Sequence, residues 1–308
     1  MNFQPTRPFH TSVFDIQRRV VANKTLEGWQ TVPHAAVMVE ADITGLMDLA
    51  ARLKTDPAFA GVRITINSLL LKLIADGLQA APEMNAHINY SRASAVGVLT
   101  LFEEINIAIP YRSRDGRMFT PVVRDVGGMG LIGVCAAMED LKRRAANTDL
   151  DMLLREAGVG DSVRRLCRGD LRILWRLLWN FFGPARLPKI PQEARKHWAA
   201  TAARDKITPE NLHSATVVVS NTGSVLPGSG VVLEVLEIIP PQTVAIGIGA
   251  MARKQVVVSE NGVETTAIRS MVPITVCFDH RAMDLEHIRP FIATILDYCR
   301  TPEKLLEQ

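Results

Sequence analysis

A chain of 308 residues has room for one large domain or two small ones, and 47% hydrophobic with 22% charged residues is ordinary for a globular protein rather than a disordered one. A formal net charge of +3 gives no footing for nucleic-acid binding. Cys135, Cys167, Cys277 and Cys299 lack CxxC spacing, the opening MNFQPTRPFH lacks a signal core, and no run reaches roughly 18 uncharged apolar residues; a disulfide framework, a zinc site and a spanning helix are set aside, and the expectation is a cytoplasmic protein.

The first predicted element is a helix over 12–24, from Val13, Ile16, Val20 and Val21 at spacings near 3.6. A strand follows at 35–41 (AAVMVEA), then a helix at about 44–54 opened by Thr44, with Leu46, Leu49, Ala50 and Leu53 on one face. Residues 66–80 (INSLLLKLIADGLQA) read as a strongly apolar helix with Asn67 or Ser68 as cap, ended by Pro82. Residues 96–110 hold two short strands and 119–124 another; 130–145 returns to helix through Leu131, Val134, Cys135, Met138 and Leu141.

Residues 147–204 break this rhythm and read as a helical insertion in a single domain spanning 1–308. Trp175, Trp179, Phe181 and Phe182 stand among Arg164, Arg165, Arg168, Arg172 and Arg176. The 163–183 mixture has several readings: a basic amphipathic helix in a membrane interface, a cover for a lipid-like acyl chain, a protein contact, or a helical excursion packed on the protein's own surface with solvated arginines. Strands resume at 215–220, 243–249, 254–259 and 271–278, β-branched and bounded by Gly, Pro and Asn. The last helix is expected at about 288–299, with its first turn distorted by Pro290.

The sharpest local feature is Phe278-Asp279-His280-Arg281-Ala282-Met283-Asp284, where a strand ends and a helix is about to begin. An imidazole held there by a rigid element and facing a cleft can take a proton near neutral pH. Asp284, four residues on, can return to the same turn and orient His280, directly or through Arg281. It can equally be the cap of the last helix.

The order of further segments gives the chain a resemblance to the catalytic domain of the dihydrolipoamide acyltransferases, the core subunits of 2-oxo-acid dehydrogenase complexes. Residues 18–34 (RRVVANKTLEGWQTVPH) look like that family's "mRktIAkrM…S…tvPH", and 82–86 (PEMNA) like "PevNa". Residues 106–109 and 121–124 resemble "NIgvAV" and "PVIR"; 217–223 (VVVSNTG) is similar to "FTISNlG". Pro240-Pro241-Gln242 with Ala245-Ile246-Gly247 resembles "PPQ…AILGIG", residues 279–284 match the start of "DHRxxDG", and 301–306 look like the "dPexLL" tail.

The resemblance implies a chloramphenicol-acetyltransferase-like α/β (α+β) two-layer sandwich, a mixed sheet with helices on one face. It implies that His280 deprotonates the thiol of CoA or dihydrolipoamide and that the Ser220 hydroxyl donates to the developing oxyanion. By residue type alone Ser220 also suits a strand-end turn. Asp284 is implied as the carboxylate that fixes the histidine's tautomer, with Arg18 and Arg281 as its ionic partners. Arg18 reads equally as part of a solvated helix face. Asn221, Leu285 and His34 are implied along the substrate channel, although His34 also suits a packing position at a strand start. CoA or acyl-CoA is expected as substrate, with no metal.

The resemblance further implies a homotrimer whose active sites lie between subunits, histidine from one chain and serine from its neighbour. Several positions depart from the family pattern. The glycine after the motif aspartate is Leu285, the "GG" before the serine strand is Ser214-Ala215, and the end is charged, Glu307-Gln308. No lipoyl or subunit-binding domain is expected on this chain, hence no covalent lipoyl group, so a lipoyl or acyl carrier protein would serve in trans. A free trimer and contact of 163–183 with a membrane surface complete the expected partners. The competing reading is a non-catalytic trimeric scaffold or membrane-associated relative, which would need neither His280 nor Ser220.

Overall fold

The computed structural model of the chain describes residues 10, 12–113, 115–167, 174–175, 178–179, 186–260 and 262–307. Helix α1 (Ile16–Thr31) starts where the Asp15 carboxylate accepts from the Arg18 N–H. It leads into β1 (His34–Asp42) and α2 (Thr44–Leu53), where Thr44 N and Oγ1 both donate to Asp42 Oδ1. Helix α3 (Ile66–Ala80) is capped by Thr65 rather than by Asn67 or Ser68. Only Thr65 has the extended backbone an N-cap needs, and Ser68, one turn in, completes the reciprocal box.

A hairpin of β2 (Ala86–Ser91) and β3 (Val96–Leu101) follows, then β4 (Ile107–Ala108), β5 (Tyr111–Arg112), β6 (Met118–Phe119) and β7 (Val122–Val123). Helix α4 (Leu131–Ala146), α5 (Leu150–Cys167) and α6 (Gln192–Ala200) precede β8 (Val217–Asn221), β9 (Val244–Ile248), β10 (Ala252–Glu260) and β11 (Val263–Asp279); α7 (Leu285–Arg300) is the last α-helix.

Seven strands form one mixed sheet in the order β1-β11-β9-β8-β4-β7, with β10 paired to β11. The β4–β8 and β8–β9 pairs are parallel and the others antiparallel. Period-2 alternation divides the sheet's two faces. Val217, Val219, Ile246, Ile274 and Val276 join the main core with Leu69, Leu73 and Ile74 of α3 and Ile288, Phe291 and Ile295 of α7. On the other face Ala245 and Cys277 pack with Val32 and Ile238 beneath a strap of residues 231–240. The strap needs glycines under it: a methyl group on Gly247 would lie 2.7 Å from Leu236 Cδ1, and one on Gly249 2.6 Å from the Val231 carbonyl oxygen.

β11 is longer than the apolar run 271–278 indicates. Its buried half, Met271–Asp279, lies between β1 and β9, and its exposed half pairs with β10 as a projecting arm. Helix α7 likewise starts at Leu285 rather than 288 and runs through Pro290.

The expected insertion is anchored at both ends in the body. Leu150, Leu153 and Leu154 are buried in the main core. Trp198 on α6 is buried, its Nε1–H donating to Glu156 Oε2 at 3.0 Å and its ring lying 4.0 Å from the Lys206 ammonium. The 163–183 reading falls largely outside the described residues. Within it Leu166, Leu174, Trp175, Leu178 and Trp179 are exposed, and the Trp175 and Trp179 rings stack at 6.0 Å. Among the described residues no helix is long and apolar enough to cross a membrane.

Candidate active site

β11 delivers His280. Asp279, its last residue, is fully buried, and its N–H donates to the Thr243 carbonyl. The chain then turns: Ala282 and Met283 N–H both donate to the Asp279 carbonyl, at 2.9 and 3.2 Å, while His280 N–H donates to the Pro33 carbonyl at 3.1 Å. The Asp279 carboxylate closes the turn. It accepts from Arg281 Nε on both oxygens at 3.0 and 3.2 Å, from Nη2 at 2.6 Å and from the Arg281 backbone N–H at 2.9 Å. That carboxylate raises the pKa of the Arg281 guanidinium, which also lies 5.3 Å from the Tyr90 ring centroid. Between these two clamped residues the His280 side chain is exposed, its ring 5.5 Å from that of Phe278. Such a turn fixes the backbone from which the imidazole projects.

The carboxylate in this clamp is Asp279, which corrects the expectation for Asp284. Asp284 is the N-cap of α7, accepting from Glu286 N–H at 3.1 Å and from His287 Nδ1 at 2.8 Å. The bond from His287 holds its carboxyl below the usual carboxylate range. Arg281 is committed to Asp279, two residues before it, because buried Asp279 has no water to stabilise its charge whereas Asp284 has. Arg18 is also not its partner: the side chain is exposed on α1 and enters no ion pair among the described residues. Asp279 lies inside the motif, and the available signal for its role was the Asp-x-Arg spacing directly after a buried strand.

His34 is not a free channel group. Its Nδ1 bonds to the Val32 carbonyl at 2.9 Å, its Nε2 accepts from Ile238 N–H at 3.0 Å, and its ring stacks on Trp29 with centroids 4.6 Å apart. Leu285 is the first residue of α7 and is 57% exposed. Asn221 is half-buried, its amide donating to Asn67 Oδ1 of α3 at 3.2 Å.

Ser220 lies near the carboxyl end of β8, beside Gly247 of β9, Thr275 of β11 and Met38 of β1 in one row across the sheet. His280 stands five residues further along β11, at the other end, and two strands over. At about 3.3 Å per residue and about 4.8 Å per strand the two are roughly 19 Å apart within one chain. Asn221 shares the Ser220 end. Leu285 follows the His280 turn.

The chain matches the family model described as 2-oxoacid dehydrogenases acyltransferase (catalytic domain) over residues 8–153 and 185–307. A dihydrolipoyllysine-residue acetyltransferase component of the pyruvate dehydrogenase complex of Corynebacterium glutamicum is 24% identical over 92% of this chain and 32% of its own length. The corresponding protein of Mycobacterium tuberculosis is 24% identical over 90% of this chain and 39% of its own length. The chain therefore spans roughly a third to two fifths of these relatives' length, 32% and 39%. Among solved structures, the cubic core of a pyruvate dehydrogenase multienzyme complex superposes with a TM-score of 0.65 at 18% identity, covering 99% of this chain and 100% of that one. A dihydrolipoamide acetyltransferase of Azotobacter vinelandii, studied for a serine, a histidine and an asparagine in its catalytic mechanism, gives 0.64 at 18% identity, over 99% and 100% of the two chains. These superpositions establish the fold: a mixed sheet with helices, shared with acyltransferase cores.

Proposed function

The chain belongs to the 2-oxoacid dehydrogenase acyltransferase family, as a catalytic domain, and from that premise we propose that it moves an acyl group between CoA and a thiol of the dihydrolipoamide kind. His280 acts as general base. It takes the proton of the attacking S–H, and the thiolate adds to the thioester carbonyl. The tetrahedral intermediate collapses by breaking the bond to the departing sulfur, and the histidine returns its proton to that thiolate. A thiol with pKa near 8.5 suits a base that works close to neutrality. The Ser220 hydroxyl donates to the oxygen that becomes charged only in the transition state.

The observation that carries this reading is the Asp279–Arg281 clamp around an exposed His280. Within one chain Ser220 is too distant to serve that histidine, at roughly 19 Å. The pair is therefore supplied by two copies, in a trimer, with His280 of one meeting Ser220 of the next. The acyl partner is a lipoyl group, as carried by a lipoyl domain or an acyl carrier protein. A non-catalytic trimeric scaffold remains the rival reading. Assaying acetyl-CoA with dihydrolipoamide separates the two: His280→Ala should lose about 10²–10⁴-fold in kcat with its oligomeric mass unchanged. Wild-type turnover in that variant overturns the mechanism.

A second reading concerns 163–183, supported by exposed Leu174, Trp175, Leu178 and Trp179. The segment has five arginines against one aspartate, +4 of a chain total of +3, which leaves the remainder at −1. Aromatic and aliphatic side chains with concentrated arginine suit an anionic membrane surface. Flotation with phosphatidylserine-containing vesicles should carry the protein upward, less so at high salt or with Trp175 and Trp179 replaced by serine. Equal recovery in the unbound fraction removes the membrane contact.

A further inference from the structure

Three elements converge on residues 32–34. The His280 N–H donates to the Pro33 carbonyl, so the start of β1 supports the catalytic turn, and His34 pairs with Asp279 in the β1–β11 register. The strap arrives on the same residues, with Ile238 N–H donating to His34 Nε2 and the Ile238 side chain packed with Val32 and Cys277. The end of α1 closes over them. Trp29 stacks on the His34 ring, and Gly28 lets the helix approach the strap so closely that a methyl group there would stand 2.6 Å from the Ile238 carbonyl oxygen. The strap is fastened again by Leu236 N–H to Cys277 Sγ at 3.1 Å and by Ala250 N–H to the Val231 carbonyl at 2.7 Å. It begins beyond the loop that follows Ser220.

Both imidazole nitrogens of His34 are used by backbone groups, and the roles are set by the partners. A carbonyl can only accept, so Nδ1 carries the proton. An amide N–H can only donate, so Nε2 carries the lone pair. We propose that His34 is a positioning residue for His280: as the neutral Nδ1–H imidazole it fastens the strap to the strand that supports the catalytic turn. This rests on the reading of His280 as the base.

The test uses the whole chain and three variants. His34→Ala should lower kcat at least tenfold with little change in KM and raise the hydrogen-exchange rate of the Ile238 amide. His34→Gln, whose amide offers one donor and one acceptor, should restore part of both. Trp29 fluorescence should change in His34→Ala, which removes the ring stacked on the indole. Unchanged Ile238 exchange in His34→Ala, or no recovery of that protection in His34→Gln, overturns the latch. His280→Ala should keep the Ile238 protection, so the latch is read independently of whether His280 is the base.

Discussion

Arg281 grips both oxygens of Asp279 from within the same turn, Nε and Nη2 against Oδ1 and Oδ2, and His280 is the residue between them. The carboxylate is fully buried whereas the guanidinium keeps an edge in solvent. Arg281→Ala leaves a buried charge without its cation and should cost about 3 kcal/mol in thermal or denaturant unfolding. Arg281→Lys keeps the charge but not the two-pronged geometry. It should recover most of the stability and less of kcat. Equal recovery of both would mean that the clamp stabilises the fold without aiming the imidazole.

The distance between Ser220 and His280 in one chain predicts complementation. His280→Ala and Ser220→Ala chains should each be nearly inactive alone. Co-expressed in equal amounts, they should form mixed trimers in which about a quarter of the interfaces pair an intact histidine with an intact serine. Activity near that fraction of wild type is expected in the acyl-transfer assay. A mixture no better than its components would place both residues' work within one chain.

Gly77 of α3 faces the ring of Phe291 on α7, where a methyl group would lie 2.8 Å from Cδ2. Phe291 is fully buried and has no room to yield. Gly77→Ala should therefore destabilise by about 1–3 kcal/mol despite alanine's better helix propensity. Adding Phe291→Leu should cost less in that background than in the wild type, measured as a double-mutant cycle.

Lys72 and Asp76 form a buried ion pair at 2.6 Å on α3. Burial raises the Asp76 pKa above the usual carboxylate value of 3.8. A folded-state pKa above the unfolded one means the native protein holds this proton more tightly. Its contribution is fully present below the unfolded value and declines as pH rises through the folded one. Lys72→Met should therefore destabilise by about 3–5 kcal/mol near neutrality and by less in mild acid, where Asp76 takes up a proton. Lys72→Met with Asp76→Leu should be close to wild type and lose this part of the pH dependence. Denaturant midpoints between pH 4 and 7 check both.

Much of the fold was legible because its elements advertise themselves locally. The apolar spacings of α2, α3 and α4 and the β-branched runs of β8 and β9 gave their positions to within a few residues. β2 was not legible: half-exposed in a two-stranded hairpin, Ala86–Ser91 carries no clean alternation. The exposed half of β11 escaped for the same reason.

At the site, the motif around His280 and the order of the family-like segments were properties of the sequence alone. Which carboxylate serves Arg281 was not, because Asp279 and Asp284 are both within reach along the chain and only burial separates them. Nor was the fate of His34, whose second partner, Ile238, is 204 residues away. Neighbours in sequence determine hydrophobic period, caps and turns. Contacts closed by the sheet determine which polar groups lose their water, and those groups must find each other.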